Sequence, residues 1–298
     1  MKFLLLDCNY LCHRTFWALG NQLTFSEEPT SVIYGFLKDT TKLMADFEHD
    51  RVIFAFDCGY GKRRELDPSY KKSRDAAYEQ STNEEKESRQ KFRQQVRKLR
   101  ELYLRKAGFR NVFFADGYEA DDVIASVVNT LGEDDEAVIV SSDQDLWQLI
   151  GFNVSCYSPH SGKLVTRDAF YHRYGIEPVL WAHVKALAGC STDDVVGMKG
   201  IGEVTAVKWF RSQLKPESKA YKRINGQEGM TIHARNIKLV KLPFEGCPTF
   251  DVREDEVTEE RWRRLADKLG MASIRELMPG QPKGVKKRVP AKGGFGFG

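Results

Sequence analysis

The sequence predicts an α/β fold: a mainly parallel sheet with flanking helices. Two observations carry that prediction. Four short β-branched or aromatic runs, Phe3–Leu6, Val52–Phe56, Val112–Phe114 and Val138–Val140, alternate with longer segments of helical period. Acids follow every run: Asp7 and Asp57 at once, Asp116 and Glu119 after the third, Asp143 and Asp145 after the fourth. In an open α/β sheet, ligands bind in the crevice beyond the carboxyl ends of the strands, so these side chains are expected to converge in space. Carboxylates crowded in this way repel one another unless protons or cations compensate them, and oxygen-only ligands favour Mg²⁺ or Mn²⁺.

Taken in order, the first run follows Lys2 and imitates the start of a secretory signal. It is too short and lacks a small-residue cleavage site, so it reads as a buried strand. Between the second and third runs, residues of about 59–107 form an insert that is charged and poor in aliphatics. Phe92, Val96, Leu99 and Tyr103 make one narrow apolar helical stripe there, while residues 86–106 carry nine Lys or Arg against two Glu. Earlier in the insert, Lys62, Arg63, Arg64, Lys71, Lys72 and Arg74 are interleaved with Tyr60, Tyr70 and Tyr78, a surface suited to phosphates and stacked bases.

Residues 1–156 are thus expected to form the sheet domain, and 157–278 a smaller, mostly helical region. The latter holds Gly197, Gly200 and Gly202 around Lys199, a glycine hairpin entering a helix that carries Lys208; its N–H groups suit a DNA phosphate. Residues 279–298 read as a flexible basic tail. The chain has 298 residues, 30% of them charged, and no apolar run near the roughly 20 residues that cross a bilayer, which excludes a membrane-spanning class. Six cysteines without a CxxC pair indicate neither a disulfide framework nor a zinc ribbon and point to a reducing, cytoplasmic compartment, the host's if the source is a phage. The net charge of +4 is too small to argue for nucleic acid on its own; the clustering is what suggests it. No heptad or apolar stripe demands a partner, so a monomer is expected.

These residues resemble the structure-specific 5′ nucleases, the flap endonucleases and 5′→3′ exonucleases, most of all the stand-alone bacteriophage enzymes and the 5′-nuclease domain of bacterial DNA polymerase I. The likeness rests on Leu5-Leu6-Asp7, Phe54 to Asp57, Arg63 through Arg74, Gly117 to Asp122, Ser142 to Asp145 and Leu187 through Gly202, and extends over about residues 2–275. It implies a PIN-like nuclease sheet, a helical arch formed by the insert and a helix–hairpin–helix that grips duplex DNA. It implies two divalent cations: Asp7, Asp57, Glu119, Asp121 and Asp122 at the first, Asp143 and Asp145 between the two, and Asp193 at the second. By the same resemblance Tyr70 stacks on a nucleotide, Lys71 and Arg74 hold the scissile phosphate, Arg63 lies in the DNA-binding arch, and the hairpin carries a K⁺ ion.

The implied activity is hydrolysis near 5′ ends at DNA junctions, leaving a 5′-phosphate and a 3′-hydroxyl, in DNA with a 5′ flap or in RNA–DNA hybrids during replication and repair. One departure stands out. Where the family pattern has Gly-Asp-x-x-Asp-Asn, this chain has Gly189-Cys190-Ser-Thr-Asp193-Asp194, so a second-cation ligand is replaced and Asp194 is the candidate substitute. Unless Asp194 takes that place, the second cation is expected to bind weakly. Rival readings are a PIN-type ribonuclease and a catalytically silent junction-binding protein, the latter motivated by Cys190. A replication-protein partner is left open.

Overall fold

The computed structural model describes residues 1–20 and 22–279. Its centre is a six-stranded sheet assembled from β1 (Lys2–Asp7), β4 (Arg51–Ala55), β5 (Val112–Phe113), β6 (Glu136–Val140), β7 (Val154–Ser158) and β8 (Lys163–Val165); the small hairpin β2 (Thr24–Phe25) and β3 (Glu28–Pro29) lies outside it. The spatial order is β5-β4-β1-β6-β7-β8, and all pairs are parallel except β7 with β8. After β1 the chain builds outward through β4 and β5, then returns to the other side of β1 for β6. The sheet therefore has its switch point between β1 and β6, where a crevice opens beyond the strand ends. Register keeps those ends level, with Leu6 opposite both Phe54 and Val140.

Strand side chains alternate between the two faces, and each face has its own core. Leu4, Leu6, Val52, Phe54 and Phe56 pack beneath the helices Cys8–Leu19, Ser31–Asp46 and Asn83–Lys98, whereas Phe3, Leu5, Ile53, Ala55 and Ile139 pack against Ala120–Val128 and Trp181–Ala188. The apolar stripe of the insert joins the first core, with Phe92, Val96, Leu99 and Tyr103 all buried. That helix starts at a capping box between Thr82 and Glu85 and ends in a π-helical turn, Leu99–Tyr103.

Two features differ from the sequence reading. The boundary expected at residue 156 falls inside β7, and β8 adds an antiparallel edge, so the sheet continues where a helical region was expected. The period-two burial of Val154 and Cys156 is a strand signal too short to stand out in the sequence. The end of the chain also returns to the sheet domain. Asn111 exchanges hydrogen bonds with the backbone of Arg253, Phe250 stacks on Phe113 at 4.9 Å between centroids, and Trp262 of helix Glu259–Lys268 is buried in the first core. Part of the stretch 157–278 thus packs on the sheet domain. Among the described residues no helix is long and apolar enough to cross a membrane. Beyond residue 279 the basic tail lies outside the described residues.

Candidate active site

Acids gather at the switch point because each follows a strand end or opens a helix. Asp7 closes β1 and caps the helix Cys8–Leu19: Oδ1 accepts from the Tyr10 N–H at 2.9 Å and Oδ2 from the Ser141 hydroxyl at 2.8 Å. Asp57, two residues past β4, accepts from the Ala120 N–H at 2.7 Å, the first N–H of the helix Ala120–Val128. Glu119 and Asp121 sit at the same helix start, where the macrodipole favours negative charge. Asp143 and Asp145 follow β6, and the Asp145 N–H donates to Asp143 Oδ1 at 2.8 Å. A crevice of about 320 Å³ is lined by Glu119, Asp121, Asp143, Asp145, Asp193 and Cys190, with Tyr70, Lys71, Arg74 and Lys185 along its walls.

Burial, and after it mutual repulsion, raises the proton affinity of Asp7, Asp57, Asp121 and Asp143. Burial, then the charge of Asp57, pushes Asp7 up to about 7 against the stabilising Tyr10 and Ser141 bonds. Desolvation in the crevice and then the charge of Asp145 push Asp143 up to about 6. Asp57 is raised by burial and Glu119, and Asp121 well above the carboxylate range by burial and then Asp143, Asp7, Glu119 and Asp57. A folded-state pKa above the unfolded value means that the native state holds more protons as pH rises from about 4 towards 7, so stability falls across that window. We expect the Tm in chelator to be several degrees higher at pH 5.5 than at pH 8, and a divalent cation to narrow the gap. Thermal melts at the two pH values check this; a Tm that is flat or higher at pH 8 contradicts it.

Opposite the acids stands a basic wall. Lys71 is 6% exposed, has a left-handed backbone (φ 54°) and is anchored by its N–H to the Asp193 carbonyl at 2.9 Å. Its ammonium pairs with Glu119 and lies 3.6 Å from Asp193, while Arg74 reaches Asp193 at 2.9 Å. Burial disfavours the Lys71 charge, but Glu119 and Asp193 outweigh that and raise its pKa. Tyr70, given a stacking role by the resemblance, lies on the crevice wall, only 4% exposed; it donates its hydroxyl to Glu119 Oε2 at 2.8 Å and lies between Arg63 and Lys71.

Arg63 and Asp122 form a buried pair beside the crevice. Arg63, 3% exposed, donates Nη1 and Nη2 to the two oxygens of Asp122 at 2.5 and 2.8 Å and Nε to the Leu239 carbonyl at 2.9 Å. Asp122 also accepts from the N–H groups of Phe244 and Glu119. Its oxygens accept from protein donors and Arg63 is enclosed, so this buried pair ties the insert to the sheet.

At the far side of the crevice, β9 (Gly189–Cys190) pairs with β10 (Val195–Val196) around the short turn Ser191–Asp193. Asp193 turns inward, but Asp194 does not: its Oδ2 accepts from the Ser73 N–H at 2.7 Å at the start of helix Lys72–Glu79. The substitute role expected for Asp194 is therefore not met. Lys185, absent from the sequence reading, lies 3.1 Å from Asp145 Oδ1 and 3.0 Å from Glu203. A single lysine in the helix Trp181–Ala188, whose other residues apart from His183 are apolar, was its signal, since such a charge needs a partner. Asp116 stays outside the crevice, exposed and within reach of the Cys58 thiol.

The glycine segment links β10 to the helix Glu203–Phe210. Gly197 is required by packing, because a Cβ there would lie 2.0 Å from the Ala188 carbonyl oxygen. Gly200 takes φ 78°, Gly202 caps the helix, and Lys199 and Lys208 are exposed. The Lys199 carbonyl accepts from Arg223.

The architecture and the sequence have relatives. A model of the 5′-3′ exonuclease N-terminal, resolvase-like domain matches residues 2–175. The thermostable DNA polymerase I of Thermus thermophilus is 33% identical over 211 residues, which cover 70% of this chain but only 24% of that protein. The chain thus spans about a quarter of the length of such polymerase relatives. A 5′-3′ exonuclease of Bacillus subtilis is 33% identical over 219 residues, 70% of each chain. The bacteriophage T5 flap endonuclease, solved as a pseudo-enzyme–product complex with DNA and metal ions, shares the fold with a TM-score of 0.69 at 23% identity, covering 93% of this chain and 100% of that one. The match over residues 2–175 and the relative of similar length establish that the chain belongs to the 5′-3′ exonuclease family.

Proposed function

We propose that the crevice hydrolyses phosphodiester bonds close to the 5′ end of a DNA strand at a duplex junction, yielding a 5′-phosphate and a 3′-hydroxyl. The observation that carries this reading is the convergence of Asp7, Asp57, Glu119, Asp121, Asp143, Asp145 and Asp193 opposite Lys71 and Arg74. The donors fit divalent cations: Asp145 Oδ1 is shielded from solvent and balanced by the Lys185 ammonium, and burial with neighbouring charge raises the pKa of Asp7 and Asp143, a cost that a bound cation would relieve. Two cations, Mg²⁺ or Mn²⁺, would supply charge stabilisation to the attacking and leaving oxygens when bound. Asp7, Asp57, Glu119, Asp121 and Asp143 would hold one, and Asp145, Asp193 and Cys190 surround the place of the other.

The protein's own cations do the rest. Lys71 and Arg74 offset the charge that grows on the phosphoryl oxygens, with the fork of Arg74 suited to a bidentate contact. Lys185 holds Asp145 oriented from the opposite wall. Exposed cations of the insert, among them Arg93 beside Tyr78, form the arch that admits a single strand, and Lys199 and Lys208 flank the glycine segment on the duplex side. This grip on the backbone also serves an RNA strand paired to DNA. At the hairpin, where a K⁺ is expected, the Lys199 carbonyl accepts from Arg223. A monomer in the cytoplasm, acting in replication and repair, completes the proposal.

Strand polarity tests it. With Mg²⁺ or Mn²⁺, a 5′-flap duplex is expected to be cut within a few nucleotides of the junction and a 3′-flap duplex left intact, with product ends that a ligase rejoins directly. Equal cutting of both flaps, or 3′-phosphate products, would exclude this reading.

A further inference from the structure

Cys190 stands inside the crevice. Its Sγ and one carboxylate oxygen each of Asp145 and Asp193 lie within 4.8 Å of one another. The three donors come from separate local structures: Asp145 opens the short helix after β6, Cys190 ends β9, and Asp193 closes the turn that follows. The thiol is half-buried, and its polar neighbour is the Thr192 hydroxyl at 3.2 Å. Asp145 Oδ1 is out of reach of solvent, and the Lys185 ammonium at 3.1 Å balances its charge, so the site already holds a cationic group against this oxygen. Around the same three donors, Lys71 and Arg74 pair with Asp193.

Two carboxylates and a thiol are a different donor set from the all-oxygen surroundings that Mg²⁺ requires. Mg²⁺ holds its water tightly and accepts hard oxygen ligands, whereas thiolate selects softer cations such as Zn²⁺ and Cd²⁺, with Mn²⁺ closer to Mg²⁺. We propose that Cys190 is itself a ligand, so that the position formed by Asp145, Cys190 and Asp193 takes a thiophilic divalent cation in preference to Mg²⁺. Binding breaks the S–H bond, forms the S–metal bond and releases the proton to solvent, with no change of oxidation state. This inference rests on the two-cation reading above and changes the identity of one cation.

The probe is Cd²⁺ added to the full chain under reducing, thiol-free conditions, followed by ultraviolet sulfur-to-cadmium charge-transfer absorption. The wild type is expected to develop the band at one equivalent, to lose it to excess Zn²⁺ and to keep it in a hundredfold excess of Mg²⁺. Cys190→Ser and Cys190→Asp should abolish the band, and Cys247→Ser should retain it. Losing the thiol should weaken Cd²⁺ binding by at least the roughly 10–100-fold that loss of an outer-shell partner costs. Absence of the band, its survival in Cys190→Ser, or its displacement by Mg²⁺ would overturn the proposal. A folded-state spectrum of each variant, with Cys190→Ser as the near-isosteric one, separates loss of the ligand from loss of the fold. Flap cutting without a Cd²⁺ band refutes this inference alone; a band without flap cutting refutes the nuclease reading and leaves the cation site standing.

Discussion

Lys71→Ala is expected to lower single-turnover cleavage of a 5′-flap duplex by about 10²–10³-fold, the usual loss when one donor aimed at developing charge is removed. DNA affinity should change by no more than about threefold, because a single phosphate contact is a small part of a backbone grip. Lys71 is buried on the crevice wall, with its backbone fixed by the Asp193 carbonyl and its ammonium held among Glu119 and Asp193. A charge so enclosed meets the substrate only at the reacting phosphate, where its effect grows as charge develops. Single-turnover rates and binding isotherms measured side by side check this, and a loss that appears wholly in Kd would reject the electrophilic role.

Arg63→Met is expected to lower unfolding stability by about 3–5 kcal/mol, the range for stranding one member of a buried ion pair. Asp122 is fully enclosed, and the guanidinium meets both of its oxygens. Adding Asp122→Asn to Arg63→Met should recover part of the loss, since the stranded charge is then gone and the side-chain amide oxygen still accepts the Phe244 N–H. Urea denaturation of the two variants checks both steps; an unchanged midpoint for Arg63→Met would show that the pair is not a structural tie. Titration with Mn²⁺ gives the complementary result: Asp122→Asn keeps the number of bound cations, and a lost equivalent would return Asp122 to the ligand set.

Much of the sheet was legible because strand ends carry their own punctuation. A run such as Phe3–Leu6 followed by Asp7 announces both a buried strand and where it stops, and the register of β1 with β4 and β6 brings those stops level. What could not be read is pairing across long separations. Arg63 looks the same in sequence as Lys62 and Arg64; only the fold encloses it against Asp122, 59 residues away. Asp194 likewise reads as a spare ligand until its left-handed backbone turns it towards Ser73. Lys185 was legible only as an unexplained charge on an apolar helix, and β7 and β8 were too short for their alternation to outweigh the helical segments around them. Cys190 was visible as a departure in a motif, but its place between Asp145 and Asp193 required the fold.

The central claim, that the acids at the switch point form one cation-dependent hydrolytic centre for 5′ ends, is tested most directly with Asp143→Asn. Cleavage of a 5′-flap duplex and a blunt duplex is followed across Mg²⁺ and Mn²⁺ titrations, with DNA binding measured in parallel. The wild type is expected to cut only when a divalent cation is present, and Asp143→Asn to lose at least about 10³-fold in rate while binding DNA as before. Cation-independent cutting, or a variant as active as the wild type, would contradict the account.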